Sequence, residues 1–170
     1  MIDQNAKKLI FLSQKYLMLR ILSLSFVLFL LLSCGDRIIY EAETSLPDSV
    51  WQYKQPLTYQ FAIADTSTRY NLYLDIAHTT DYPFQNLYTK IYTVYPSGRT
   101  AESQININLA NKLGEWQGNC RGENCRLRVV LQQQTFFTEL GEHQLTFEQY
   151  TRRDSLSGIE TVGFSLEQLN

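Results

Sequence analysis

Histidine is nearly missing from this 170-residue chain: there are two, His78 and His143, beside three cysteines, Cys34, Cys120 and Cys125. So small a stock of nitrogen and sulfur ligands leaves little room for a metal centre or a histidine-based triad. Charge is scarce as well. The 15 Lys+Arg and 17 Asp+Glu give a formal net charge of −2, which supplies no basic stripe, and no nucleic-acid partner is expected. Four prolines and eight glycines are too few for a linker-rich or fibrous chain. Apolar residues at 44% are in turn too many for a disordered one. No glycine-rich turn opens a helix after a strand, and no G-x-S-x-G elbow occurs. The usual nucleotide cradle and the α/β-hydrolase nucleophile are thereby excluded, and no cofactor is expected.

What is present is unevenly placed. Residues 1–33 hold Lys7, Lys8, Lys15 and Arg20 against the single acid Asp3. Residues 34–170 keep the other 11 basic and 16 acidic residues, a net −5. A basic, apolar leader before a mildly acidic body is the pattern of an exported protein. The uncharged apolar run, residues 21–32, would make a helix of about 18 Å, short of the ~30 Å hydrocarbon core. It reads as the hydrophobic region of a signal peptide rather than a membrane span. Ser33-Cys34-Gly35 follows directly. This resembles a bacterial lipobox, in which the Cys34 thiol is acylated, with palmitate among the expected chains, and becomes the mature N-terminus. Met18 opens a compact signal of the same kind, and translation is expected to start there. The expected organisation is a signal peptide over 1–33, lipidated Cys34 with a tether over 34–50, and one domain over 51–170.

Beyond the leader, Cys120 and Cys125 stand six residues apart, inclusive, in CRGENC. In an oxidising compartment a local disulfide is the default reading, with free thiols or a metal or redox role as alternatives.

The remaining pattern has a period close to two. Leu57, Tyr59, Phe61 and Ile63 alternate with polar or small residues; so do Leu72, Leu74, Ile76 and His78, then Ile105, Ile107 and Leu109. Leu127, Val129 and Leu131, and Val162, Phe164 and Leu166, continue the series, with further runs over 86–95 and 143–149. Turn residues separate the runs. About eight short strands, each with one face on a core, predict an all-β protein: an antiparallel, jelly-roll-like sandwich.

Chemistry-bearing groups are sparse. His78 shares a face with Leu72, Leu74 and Ile76, which favours a hydrogen-bonded histidine at the core edge over a catalytic base. Asp75, Asp81, Glu102 and Glu148 read as solvated acids rather than a glycosidase pair. Trp51, Trp116, Tyr88 and Tyr92 could stack on a sugar or a partner, or simply pack. The segment 78–83 follows a clean strand and ends in Pro83, which restricts Tyr82 to extended backbone. It predicts a rigid turn at one end of the sandwich. His78, Asp81, Tyr82 and Trp116 are the candidate partner-binding residues there.

Three stretches carry a family resemblance. YNLYLDIAHTTDYP at 70–83, continuing to Asn86-Leu87-Tyr88, comes first; LGEWQG at 113–118 is the second. Phe147-Glu148-Gln149 with Arg152, Asp154, Leu156, Gly158, Ile159, Val162 and Gly163 is the third. With Trp51 and the lipobox, they resemble the gliding-motility lipoprotein GldH family in order and across nearly the whole chain. The paired cysteines of 120–125 depart from that pattern. The resemblance implies a lipoprotein with no catalytic motif to carry over; Gly35-Asp36-Arg37, too weakly acidic for a surface-export signal, points to the outer membrane facing the periplasm. The resemblance further implies that the protein supports surface gliding beside other gliding or type IX secretion envelope proteins. The competing reading is a sandwich module that binds or hydrolyses an envelope polysaccharide.

Overall fold

In the computed structural model, which describes residues 37–169, strands form wherever apolar and polar residues alternate. They are β1 (Arg37–Ser45), β2 (Val50–Gln52), β3 (Leu57–Ile63), β4 (Tyr70–Thr79), β5 (Asn86–Val94) and β6 (Thr100–Asn108). After them come β7 (Asn119–Arg121), β8 (Asn124–Thr135), β9 (Gly141–Gln149), β10 (Ser155–Ser157) and β11 (Ile159–Gln168). Among the described residues the helical structure is a single 3-10 turn, Pro47–Ser49. One sheet has the order β1-β11-β4-β8-β7, the other β3-β9-β5-β6, and β2 pairs with β10 in a small ribbon.

Eight of these strands are long, and their pairing follows one rule. The first pairs with the last (β1 with β11), the second with the seventh (β3 with β9), the third with the sixth (β4 with β8) and the fourth with the fifth (β5 with β6). A long antiparallel hairpin folded over into two four-stranded sheets is the jelly-roll arrangement. The predicted all-β sandwich is thus the observed fold.

Alternation sets which side chains meet. In β3 every odd residue from Leu57 to Ile63 is buried and every even one exposed. Phe164, fully buried on β11, lies with its ring centre 5.2–6.2 Å from those of Tyr40, Tyr59, Phe61 and Phe147. Tyr59 crosses between the sheets: its hydroxyl donates to the Val162 carbonyl at 2.6 Å. That bond satisfies a polar tip that would otherwise cost about 1–3 kcal/mol inside the core. On the outer face of the other sheet Arg128 forks onto Asp75 at 2.7 and 3.0 Å, and Arg126 bonds Glu43 at 2.6 Å. Such exposed pairs contribute about 0–1 kcal/mol each and mainly keep that face polar.

Two features differ from the sequence reading. Residues 37–45, expected within a tether, are strand β1, which leaves only Gly35 and Asp36 between Cys34 and the sheet. Pairing with β11 satisfies the backbone of this segment, and Ile39, Tyr40 and Ala42 pack against the core. The sandwich is also less closed on the side where β6 and β8 border it. Leu127, Val129 and Leu131 are only half-buried there, and a cavity of about 390 Å³ enters between Ile105 and Leu131.

Candidate functional site

Cys34, the expected lipidation residue, lies outside the described residues. Cys120 and Cys125 are joined by a disulfide across the β7–β8 hairpin, with Cα atoms 4.0 Å apart. The two-residue turn of that hairpin has Gly122 at φ +62°, a positive φ that such hairpin turns need at their first position and that glycine adopts without strain. A loop this short contributes about 2 kcal/mol through the unfolded state. Reduction of the disulfide, or Cys120→Ser with Cys125→Ser, is accordingly expected to lower Tm by roughly 6–10 °C. An unchanged calorimetric melt would refute that.

The four candidate partner-binding residues do lie at one end of the sandwich, but three of them are turned inward. His78 is fully buried, its Nδ1–H donating to the Thr79 carbonyl at 2.9 Å. The reading of a hydrogen-bonded histidine on the core side of β4 therefore holds. Its ring centre is 4.7 Å from that of Trp116, itself half-buried, and 6.1 Å from that of Tyr82. Tyr82 is 3% exposed. The turn that carries it is closed by the Tyr82 N–H on the Thr79 carbonyl at 3.2 Å, and Gly158, at φ +91°, packs against it. A Cβ at Gly158 would stand 2.9 Å from the Tyr82 Cα, so only glycine permits that approach. Burial pushes the Tyr82 phenol well above its ordinary range, and its hydroxyl donates to the Asn86 carbonyl at 3.1 Å. Tyr82 is thus a core residue and not a presented one; of the four, Asp81 alone is exposed. Trp51, weighed as an exposed stacking residue, is also fully buried, its Nε1–H on the Gln55 carbonyl at 3.0 Å.

Tyr82 supports a surface that the sequence reading reached only at Tyr88. Phe84 stands edge-on to Tyr82, ring centres 5.7 Å apart, and begins a groove of about 610 Å³. Phe84, Tyr88 and Tyr150 line it and are 37%, 46% and 42% exposed. Asn86, Thr151, Arg152 and Arg153 complete the lining. Neither an aliphatic side chain nor a carboxylate is among the lining residues, in a body with 16 acids.

The wall with the arginines is built by a buried amide. Gln149, 1% exposed at the end of β9, donates from Nε2 to the Arg153 carbonyl at 2.9 Å. Its Oε1 accepts from the Thr151 N–H and hydroxyl at 3.1 and 2.7 Å. The Tyr150 N–H bonds the Tyr88 carbonyl at 2.7 Å, and the Tyr53 N–H bonds that of Asp154 at 2.8 Å. Both ends of the loop are therefore pinned, and a buried amide is spent on its shape. Lys90 Nζ lies 4.4 Å from the centre of the Tyr150 ring, and 2.9 Å from the Glu102 carboxylate, which raises its pKa. Among the described residues neither Arg152 nor Arg153 is ion-paired. The signal in the sequence was the doublet itself, the one pair of adjacent basic residues after residue 33.

Known proteins resemble this chain over most of its length. The gliding motility lipoprotein GldH of Flavobacterium johnsoniae is 26% identical over 146 residues, covering 82% of this chain and 90% of that protein. The gliding motility lipoprotein GldH homolog of Christiangramia forsetii is 23% identical over 150 residues, 84% of this chain and 91% of that one. Among solved structures, that of infectious bursal disease virus Gx strain aligns with a TM-score of 0.40 and 12% identity. It covers 79% of this chain and 32% of the viral one. The family model described as GldH lipoprotein matches residues 38–166, from β1 into β11 and through both sheets, and the chain belongs to that family.

Proposed function

We propose that this protein is a lipid-anchored, non-catalytic accessory component of the cell envelope that supports gliding over surfaces. The observation that carries the reading is the family match over 38–166, together with relatives named for gliding motility that align over nine-tenths of their own length. Cys34, separated by Ser33 alone from the apolar run 21–32, supplies the anchor. We place the protein on the outer membrane facing the periplasm, beside the type IX secretion machinery. Gly35-Asp36-Arg37 has too little acidity for a surface-export signal. The work assigned to it is docking, and a rigid jelly roll suits that because its loops lose little entropy on binding. Deletion of the gene in the native host is expected to abolish colony spreading, and the intact gene supplied in trans to restore it. Affinity capture of the lipidated protein should recover envelope components of motility or secretion. A deletion strain that glides normally overturns the proposal.

A further inference from the structure

The groove between β5 and the 150–153 loop has a composition that selects a ligand. A peptide partner is usually anchored by an apolar side chain in a fully desolvated pocket, and no aliphatic residue lines this groove to form one. A single-stranded nucleic acid needs a basic track along its backbone, whereas two arginines are the only cations lining the wall of a body carrying −5. What the groove offers is three partly exposed aromatic rings and two guanidinium forks, with Asn86 and Thr151 as neutral hydrogen-bonding groups. Pyranose rings present faces of partly positive C–H hydrogens, which the negative face of an aromatic ring attracts. Planar guanidinium groups match carboxylates in two-point geometry. The volume of about 610 Å³ lies within the roughly 300–1,000 Å³ of small-ligand sites.

We infer that this groove binds an acidic polysaccharide through its uronate units, Tyr88, Tyr150 and Phe84 taking sugar faces and Arg152 and Arg153 taking carboxylates. Charge complementarity decides the occupant. The lining carries no acid to compete, both arginines are free of ion pairs among the described residues, and the buried Gln149 holds their loop in place. Preorganisation of this kind removes an ordering cost from binding. The inference stands apart from the gliding role and survives or fails without it.

The test is calorimetric titration of the full-length lipoprotein in detergent with trimers of galacturonate, mannuronate and guluronate. Maltotriose serves as the neutral counterpart and triglutamate as the acidic peptide. At least one uronate trimer is expected to bind, more weakly as salt rises, with maltotriose and triglutamate at least tenfold weaker. Arg152→Gln with Arg153→Gln should weaken the uronate about tenfold or more, and Tyr88→Ala with Tyr150→Ala should do the same. All four side chains are exposed, so thermal melting should stay near that of the parent; should a double variant unfold, Arg152→Gln alone carries the comparison. Failure of all three uronates to bind at millimolar concentration overturns the inference. Equal binding of triglutamate overturns it in favour of an acidic peptide, and equal binding of maltotriose overturns it in favour of a neutral-sugar site. Uronate binding unchanged in the variants places the site elsewhere and overturns it too.

Discussion

Tyr82→Ala is expected to destabilise the sandwich by about 3–5 kcal/mol, the cost of emptying a large aromatic site in a core. Asp81→Ala, one residue away, should stay within about 0.5 kcal/mol, as exposed substitutions usually do. The contrast follows from burial. Tyr82 is 3% exposed, bonds the Asn86 carbonyl, and lies against Gly158 and Phe84, whereas Asp81 faces water. Against a total stability of about 5–15 kcal/mol, the first change should lower Tm by more than about 10 °C. The double variant should melt with Tyr82→Ala. Tyr82→Phe, which keeps the ring and loses one hydrogen bond, should cost only about 1 kcal/mol. Circular-dichroism melting measures all four. A Tyr82→Ala variant that melts with the parent would show that the turn is not part of the core. Because loss of gliding in Tyr82→Ala would follow from unfolding alone, Asp81→Ala is the variant that tests whether this loop meets a partner.

Cys34→Ala is expected to abolish fatty acylation altogether and to leave the unprocessed precursor. The thiol is the only group in the lipobox that can form the thioether, so no neighbouring residue can substitute. The effect on location should be as large. A single acyl chain holds a protein only marginally, and stable anchoring needs two signals. Without chains the sandwich offers a bilayer a strand face of arginine and carboxylate pairs. Metabolic labelling with an alkyne fatty acid, followed by membrane fractionation, measures both effects. Label retained at the parent level would exclude Cys34 as the acceptor.

Some of this was readable from residue order. Leu57-Thr-Tyr-Gln-Phe-Ala-Ile carries its strand on its face, since a period of two leaves one side apolar whatever it packs against. The same logic placed His78 beside Leu74 and Ile76, and the spacing of Cys120 and Cys125 is short enough for a hairpin to close it. These are local matters, decided by bonds within a few residues. What residue order could not decide was exposure among the aromatics. Trp51, Tyr82 and Tyr88 are alike in kind, yet two are buried and one is 46% exposed, because burial depends on which distant strand arrives overhead. Leu156 of β10 lies opposite Trp51, and Gly158 comes against Tyr82, each from more than seventy residues away. Strand β1 was hidden for the same reason: its ladder partner, β11, is at the far end of the described chain. The groove, too, exists only once β5 and the 150–153 loop are side by side. Residue order by itself determined the strands with a clean period of two, their inward faces and the family. The nesting of first strand with last, which pairs residues as far apart as Arg37 and Gln168, decided which rings and arginines reach water.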